Sequence, residues 1–427
     1  MFKISYQTFG CKLNFAETIS IINSLDDKKF SITSDISNSD IHIIHTCTVT
    51  SQAEKKCRQA IRHAVKENKN INIIVLGCYS QLRADDLKEF KNVKYICGNE
   101  SKFNLKEVIE NIVSKNKQSD DNQNKIFVKG INTFHYHPAI SDESRTRTFL
   151  KIQDGCDYYC TYCAIPYARG HNRSGTIDDV LKEAKQIVKE GIKEIVLTGV
   201  NIGEFGTQHN QTLYELLLQL IEIEGLERIR ISSIEPNLIN NNIIKLAAES
   251  QKIMPHFHIP LQAGTNKILK LMKRKYTVEF FADKVLQIKD FMPDSCIAVD
   301  LITGFPGEDK SDFKDTINFI KSIPISYLHV FSYSDRPEAL SSKFKNKNSR
   351  SEIKNRSKIL HKLSTEMYKS FVQNFLNTKR DVLFEYKDNN NYWWGWSDNY
   401  IRVKYQSNED LKNTILKTEI SEIIEIF

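Results

Sequence analysis

Three cysteines, Cys156, Cys160 and Cys163, fall within eight positions of the chain, in the stretch Gly155-Cys156-Asp157-Tyr158-Tyr159-Cys160-Thr161-Tyr162-Cys163. Thiolates this crowded are soft metal ligands rather than packing groups. The spacing Cys-x3-Cys-x2-Cys offers three of them, whereas a closed structural zinc site or an ordinary iron–sulfur cluster takes four. A metal centre held here keeps one coordination position open. The competing reading is a zinc ribbon whose fourth ligand lies elsewhere, but the chain has no second Cys-x2-Cys pair to complete one.

Three further cysteines end short apolar runs: Ile4 to Thr8 leads to Gly10-Cys11, Ile41 to Ile44 to Cys47, and Ile71 to Leu76 to Gly77-Cys78. Between the runs, Asn14 to Leu25 and Thr50 to Lys66 have helical character, an alternation that predicts parallel strands with crossover helices. Ligands of such sheets gather beyond the carboxyl ends of the strands, so Cys11, Cys47 and Cys78 can converge although 36 and 31 residues separate them. A second cluster site is the inference; three buried free thiols are the alternative. Cys97, after the apolar run Val93 to Ile96, reads as a spare thiol. Cys57, in a helical stretch, and Cys296, at a strand start, read as structural.

The elements that must position these residues follow in order. Residues 114–146 are polar and weakly periodic and read as a linker, with His135 and His137 as surface decoration. Strands are expected near 148–154, 194–199, 228–234, 256–261, 296–304 and 327–334. Ile177, Val180, Leu181, Ala184, Ile187 and Val188 make one helical face that ends at Gly191. Six β/α units imply an incomplete parallel barrel, with its chemistry at the carboxyl-end loops. Residues 351–376 read as a basic helix, and segments at 381–386, 391–396, 400–405 and 417–426 as strands of a small β-barrel, a fold that binds single-stranded nucleic acid through aromatic stacking and basic residues.

Composition narrows the class. With 40% hydrophobic and 26% charged residues, the 427-residue chain can bury a sizeable core as an ordinary soluble protein. No run of about 18 apolar residues predicts a membrane span, and Met1 to Ser5 lacks signal-peptide character, so a cytoplasmic protein without a membrane partner is expected. There, nine cysteines serve as ligands and spare thiols rather than disulfides. Residues 341–380 hold eleven Lys and Arg against two Glu, which gathers the net charge of +7 in one segment.

The Cys156–Cys163 stretch, with Tyr162 just before its last cysteine, resembles the signature of radical S-adenosylmethionine (SAM) enzymes. Ala164-Ile165-Pro166-Tyr167-Ala168-Arg169-Gly170 with Arg173-Ser174 resembles their methylthiotransferase branch, as do Thr8 to Asn14, His45 to Thr50 and Gly77-Cys78. This resemblance spans nearly the whole chain. It implies an α/β protein with an N-terminal parallel α/β methylthiotransferase domain over 1–113, a 114–146 linker, a radical SAM partial (β/α)6 barrel over 147–374 and a TRAM-like small β-barrel over 375–427. It further implies two [4Fe-4S] clusters, a radical SAM cluster on Cys156, Cys160 and Cys163 and an auxiliary cluster on Cys11, Cys47 and Cys78. Tyr162, Thr198, Gly199, Asn201, Glu235, Gln262 and Asp300 become candidates for the SAM pocket.

By the same resemblance, one SAM methylates a sulfur at the auxiliary cluster, and a second is cleaved reductively to a 5'-deoxyadenosyl radical that takes hydrogen from the substrate carbon. The chemistry is cofactor-borne, and no side chain is assigned a catalytic role. Gly10 to Asn14 and Lys151 to Cys156 look most like the branch that modifies N6-threonylcarbamoyladenosine at position 37 of tRNA. The alternatives are the branches acting on isopentenyladenosine 37 or on ribosomal protein S12, and, in another class, a non-catalytic iron–sulfur RNA-binding or redox-sensing protein. Expected partners are the tRNA anticodon stem-loop, an electron donor such as flavodoxin or ferredoxin, and a sulfur donor.

Overall fold

The computed structural model describes residues 1–115, 125–141 and 146–426. Its first strands are β1 (Phe2–Thr8), β2 (Phe30–Ile32), β3 (Ile41–Thr46), β4 (Asn72–Gly77), β5 (Val93–Cys97) and β6 (Lys125–Phe127), with helices α1 (Lys12–Asn23), α2 (Ser51–Glu67), α3 (Cys78–Leu82), α4 (Ala84–Lys88) and α5 (Leu105–Lys115). They form one parallel sheet in the order β2-β1-β3-β4-β5-β6. Every residue of β3 is buried, as a central strand covered on both faces requires. Successive side chains of a strand point to opposite faces. Ile43 and Ile74 accordingly pack with Ile21 of α1 and Ile109 of α5, while Ile44 and Ile73 pack with Cys57 and Ile61 of α2. α2 begins where the Thr50 side chain accepts from the Ala53 amide.

The expected linker needs correction. Residues 116–124 and 142–145 of it lie outside the described residues, but 125–127 form β6 and extend the sheet beside β5. His135, largely exposed, and His137 place Nδ1 and Nε2 at 3.1 and 3.3 Å from Glu100 Oε1.

The chain continues through β7 (Arg147–Lys151), β8 (Gln153–Asp154), α6 (Ile165–Arg169), β9 (Arg173–Ser174), α7 (Ile177–Lys189), β10 (Glu194–Thr198), α8 (Leu213–Leu220), β11 (Arg228–Ile231), α9 (Asn241–Glu249), β12 (His256–Gln262), α10 (Asn266–Leu271), α11 (Val278–Phe291), β13 (Cys296–Thr303), α12 (Lys310–Ser322) and β14 (Tyr327–Ser332). β7, β10 and β11 pair in parallel, as do β12, β13 and β14. Parallel bridges Ile229↔Ile253 and Ser233↔His258 join the two sets, giving the six-stranded partial barrel expected. α7 opens with a Thr176–Asp179 capping box and buries Ile177, Val180, Ala184 and Ile187.

α13 (Arg350–Gln373) precedes an antiparallel sheet of β15 (Lys379–Lys387), β16 (Tyr392–Ser397), β17 (Arg402–Gln406) and β18 (Ile415–Glu419), in the order β17-β16-β15-β18. The last strand stops at Glu419 rather than near 426; Ile423 and Ile426 pack on the core without pairing.

Two compact units result. One comprises Met1–Asp142, Gln153–Gly175 and Ser334–Ser342; the other comprises Glu143–Ile152, Thr176–Tyr333 and Lys343–Phe427. Among the described residues, no helix is long and apolar enough to cross a membrane.

Candidate metal centres and their surroundings

Neighbouring strands β1, β3 and β4 bring Cys11, Cys47 and Cys78 to one edge. The register pairs Thr8 with His45 and Thr46 with Gly77, so each cysteine lies just beyond the carboxyl end of its strand. Gly10, at φ +103°, makes the close approach possible: a Cβ there would stand 2.9 Å from Cys47 Cβ and 3.0 Å from its Sγ. Cys11 also stands at the N-cap position of α1, where the positive helix end favours a thiolate.

Burial, and next the neighbouring Cys78, push the Cys47 thiol up to about 12. Although Cys11 reaches solvent, the protein packed around its sulfur raises its pKa, and the Arg169 guanidinium is the largest opposing influence. Thiols that crowd one another in this way gain by giving up protons to a shared metal group. Asn99 Nδ2 approaches Cys78 Sγ at 3.5 Å. The donor set therefore fits an iron–sulfur cluster held by three thiolates.

The same compact unit carries the second triad. Gly155, at φ +69°, lies so close to the His171 carbonyl that no side chain fits there. The Cys156 amide donates to Gly170 O at 3.1 Å, and the Cys163 amide to Cys160 O at 3.0 Å. Two sulfurs receive backbone donors, Cys156 Sγ from the Tyr158 amide at 3.5 Å and Cys163 Sγ from the Ile165 amide at 3.4 Å. Such N–H groups stabilise thiolate and tune a cluster. Cys160 is buried, while Cys156, Tyr162 and Cys163 are part exposed, so an outside ligand can reach this triad.

Residues 334–342 strap both cysteine regions of this unit. Ser341 donates to Thr161 O at 2.8 Å, and Arg336 donates to Thr48 O at 3.2 Å and to Glu54 at 2.6 Å.

Single-ion geometry is different. Among the described residues, only His258, Asp300 and His329 bring three ligand-type atoms within 4.8 Å of one another. Neither cysteine triad is so tight.

Of the barrel positions singled out in the sequence, Thr198 and Gln262 end β10 and β12, and Gly199, Asn201 and Glu235 lie in the loops beyond. Glu235 is ion-paired with Arg274. Asp300 lies deeper, mid-strand, with His258 Nε2 at 2.6 Å. Burial works against its charge, but His258 beside it prevails and lowers its pKa. His258 and His329 were missed in the sequence because they stand singly on separate strands.

At the amino end of the barrel, the C-terminal sheet is docked. Arg147 pairs with Glu385 at 2.8 Å, Arg228 donates to Asp381 O at 2.7 Å, and Arg230 to Asp398 O at 3.1 Å. Tyr400 stacks between Trp396 and His256, each 4.3 Å away. Trp393 is buried, and Trp394 Nε1 donates to Asp388 at 2.7 Å. The three tryptophans thus have internal duties. Tyr386 and Tyr405 of the same sheet are 51% and 39% exposed. Arg356 of α13 is buried against Glu308 at 3.1 Å, whereas Lys343, Lys345, Lys347, Arg350, Lys354 and Lys358 are exposed.

The radical SAM superfamily profile matches residues 150–320, and that of the Uncharacterized protein family UPF0004 matches residues 3–98. A relative from Bacillus subtilis (strain 168), threonylcarbamoyladenosine tRNA methylthiotransferase MtaB, is 35% identical across 98% of this chain and 94% of its own length. Its Aquifex aeolicus (strain VF5) namesake is 37% identical across 87% and 90%. A tRNA-2-methylthio-N(6)-dimethylallyladenosine synthase from Thermodesulfovibrio yellowstonii is 35% identical across 77% and 75%. Among solved structures, the radical SAM methyltransferase TsrM from Kitasatospora setae, with cobalamin and a [4Fe-4S] cluster bound, matches with TM-score 0.58 and 12% identity, covering 78% of this chain and 75% of that one; it shares the fold.

Proposed function

The chain belongs to the radical SAM tRNA methylthiotransferase family, and on that premise we propose that it adds a methylthio group to C2 of N6-threonylcarbamoyladenosine at position 37 of tRNA. The observation that carries this reading is the presence of two three-cysteine groups in one compact unit, one at the ends of β1, β3 and β4 and one in the loop after β8. Two relatives named for threonylcarbamoyladenosine match over 98% and 87% of the chain. The relative named for dimethylallyladenosine, matching over 77%, supports the second reading, an isopentenyl-type adenosine at the same tRNA position.

In this reading Cys11, Cys47 and Cys78 would hold the auxiliary [4Fe-4S] cluster, and Cys156, Cys160 and Cys163 the cluster to which SAM binds. SAM and the clusters supply the one-electron and sulfur-transfer chemistry needed at a carbon whose hydrogen no side-chain base can remove as a proton. The chain's own contribution is position. Gly10 lets the Cys11 and Cys47 regions touch, the 334–342 strap ties Thr48 and Thr161, and the amides of Tyr158 and Ile165 fix two sulfurs. Tyr162, Thr198, Gly199, Asn201, Glu235, Gln262 and Asp300 are assigned to SAM. Glu235 and Asp300 would act with Arg274 and His258 already bound to them.

Residues 1–113, 147–374 and 375–427 are read as the auxiliary-cluster, SAM-binding and RNA-binding domains, joined by 114–146. The anticodon stem-loop would meet phosphate contacts from Lys343, Lys345, Lys347 and Arg350 and base contacts from Tyr386 and Tyr405. A low-potential donor such as flavodoxin or ferredoxin and a cytoplasmic setting complete the proposal. The test is anaerobic turnover with SAM, reductant and stem-loops bearing either threonylcarbamoyl- or isopentenyl-adenosine. The proposal expects 5'-deoxyadenosine and a methylthio product with the first. Product from the isopentenyl substrate alone would establish the second reading, and no SAM cleavage with either would leave a binding or sensing protein.

A further inference from the structure

Arg169, 1% exposed at the end of α6, belongs to the unit that holds both triads. Its Nη1 donates to Asp154 Oδ1 at 2.8 Å and Glu17 Oε1 at 3.1 Å; its Nη2 donates to Asn14 Oδ1 at 2.6 Å and Glu17 Oε2 at 2.9 Å. Asn14 passes the contact on. Its Nδ2 donates to Phe9 O at 2.8 Å and Thr46 O at 3.1 Å, the backbone just ahead of Cys11 and Cys47, and its Oδ1 lies 3.8 Å from Cys11 Sγ. Lys102, fully buried, repeats the arrangement: its Nζ donates to Glu17 Oε2 at 2.5 Å and Asn99 Oδ1 at 2.9 Å, and Asn99 Nδ2 reaches Cys78 Sγ at 3.5 Å. Each cation therefore stands one amide away from a cysteine sulfur.

Arg169, Lys102 and Arg173, which donates to Asp154 Oδ2 at 2.8 Å, face two carboxylates, Glu17 and Asp154, with His45 Nε2 3.9 Å from Glu17. A positive charge shut away from water is poorly screened and acts strongly on its surroundings. A four-iron cluster on three thiolates is an anion that gains a further negative charge on reduction. We propose that Arg169 and Lys102 raise the reduction potential of the cluster on Cys11, Cys47 and Cys78, with Asn14 and Asn99 fixing their distance from the sulfurs. This rests on the ligand assignment above.

The test uses full-length protein carrying Cys156→Ala, Cys160→Ala and Cys163→Ala, so that one cluster remains, and follows its EPR signal through a redox titration with iron content measured alongside. Arg169→Gln removes a positive charge and should lower the potential by about tenfold in the reduction equilibrium, ~59 mV for one electron. Glu17→Gln removes a negative charge and should raise it by a similar amount. Arg169→Lys, and Arg169→Gln combined with Glu17→Gln, preserve net charge and should stay near the parent. If Arg169→Gln fails to retain its cluster, Glu17→Gln still decides. A potential unmoved in every iron-replete variant overturns the inference while leaving the ligands standing. A parent protein without any cluster overturns the ligand assignment, and this inference with it.

Discussion

Cys97 and Cys78 lie near the same sheet edge, yet their surroundings give them different fates. Cys97 ends β5 opposite Leu76 and packs among Ile109 and Leu105, where burial alone pushes its thiol to about 12. Cys78 has an amide donor on its sulfur and two cysteines for neighbours. Anaerobically reconstituted protein should bind about eight irons in two clusters. Cys160→Ala should halve the iron and abolish SAM cleavage; Cys47→Ala should halve it and leave uncoupled cleavage; Cys97→Ala should keep both clusters and cost about 1 kcal/mol of stability. Iron retained in full by the first two, or halved by the third, would reassign the ligands. In metal-free native protein at pH 8, brief iodoacetamide treatment followed by peptide mass spectrometry should mark part-exposed Cys156 and Cys163 and spare Cys57, Cys97 and Cys296, whose thiols burial holds at about 11, 12 and 12. That Cys11, Cys47 and Cys78 meet at one sheet edge was legible because each follows a strand-forming apolar run. The network of Glu17, Lys102 and Arg169 was not, since isolated charges in amphipathic segments read as solvent-facing until packing brings them together.

Strand positions in the barrel came within a few residues of the alternating apolar runs because each is bounded by turn residues and separated by a helix. β6 was hidden: three residues inside a polar stretch carry no period, and only pairing with Tyr95 to Cys97 defines them. Equally hidden was the docking of the C-terminal sheet on the amino end of the barrel, opposite the strand ends that bear Thr198 and Gln262. Arg147, Glu194, Arg228 and His256 each begin a strand there. Burial disfavours the Glu194 carboxylate, but Arg230 and Arg147 more than compensate and hold its pKa at about 2. Because the folded value lies below the ordinary Glu value of about 4.3, its stabilisation is present above that pH and lost as pH falls toward 2. Urea unfolding should therefore show a deficit of roughly 3 kcal/mol for Glu194→Gln at pH 7 that shrinks between pH 4 and 2. A deficit constant with pH would show that the charge is not what matters. Deleting residues 381–427 would strip Val382, Phe384, Trp393 and Ile401 from a core shared with Cys296, Ala298 and Tyr327, and thermal unfolding should reveal a less stable barrel. An undiminished melting temperature would make the sheet an independent appendage. RNA contacts are better probed by surface substitutions than by truncation.

For the whole molecule, residues 341–380 hold eleven Lys and Arg against two Glu, and under the proposed function the exposed ones, Lys343, Lys345, Lys347, Arg350, Lys354 and Lys358 among them, would give the electrostatic handle on RNA. Neutralising Lys343, Lys345 and Lys347 together should flatten the log–log salt dependence of tRNA binding by about 2, with iron content unchanged. An unaltered slope in fluorescence anisotropy would move recognition elsewhere. The central claim is chemical, and the most direct test is mass spectrometry of tRNA nucleosides from a strain lacking this protein, restored with the wild-type chain or with Cys47→Ala. The account predicts that 2-methylthio-N6-threonylcarbamoyladenosine disappears on deletion, leaving the unthiolated nucleoside, and returns only with the wild-type chain. Methylthiolated threonylcarbamoyladenosine persisting in the deletion strain while its isopentenyl counterpart vanishes would contradict it.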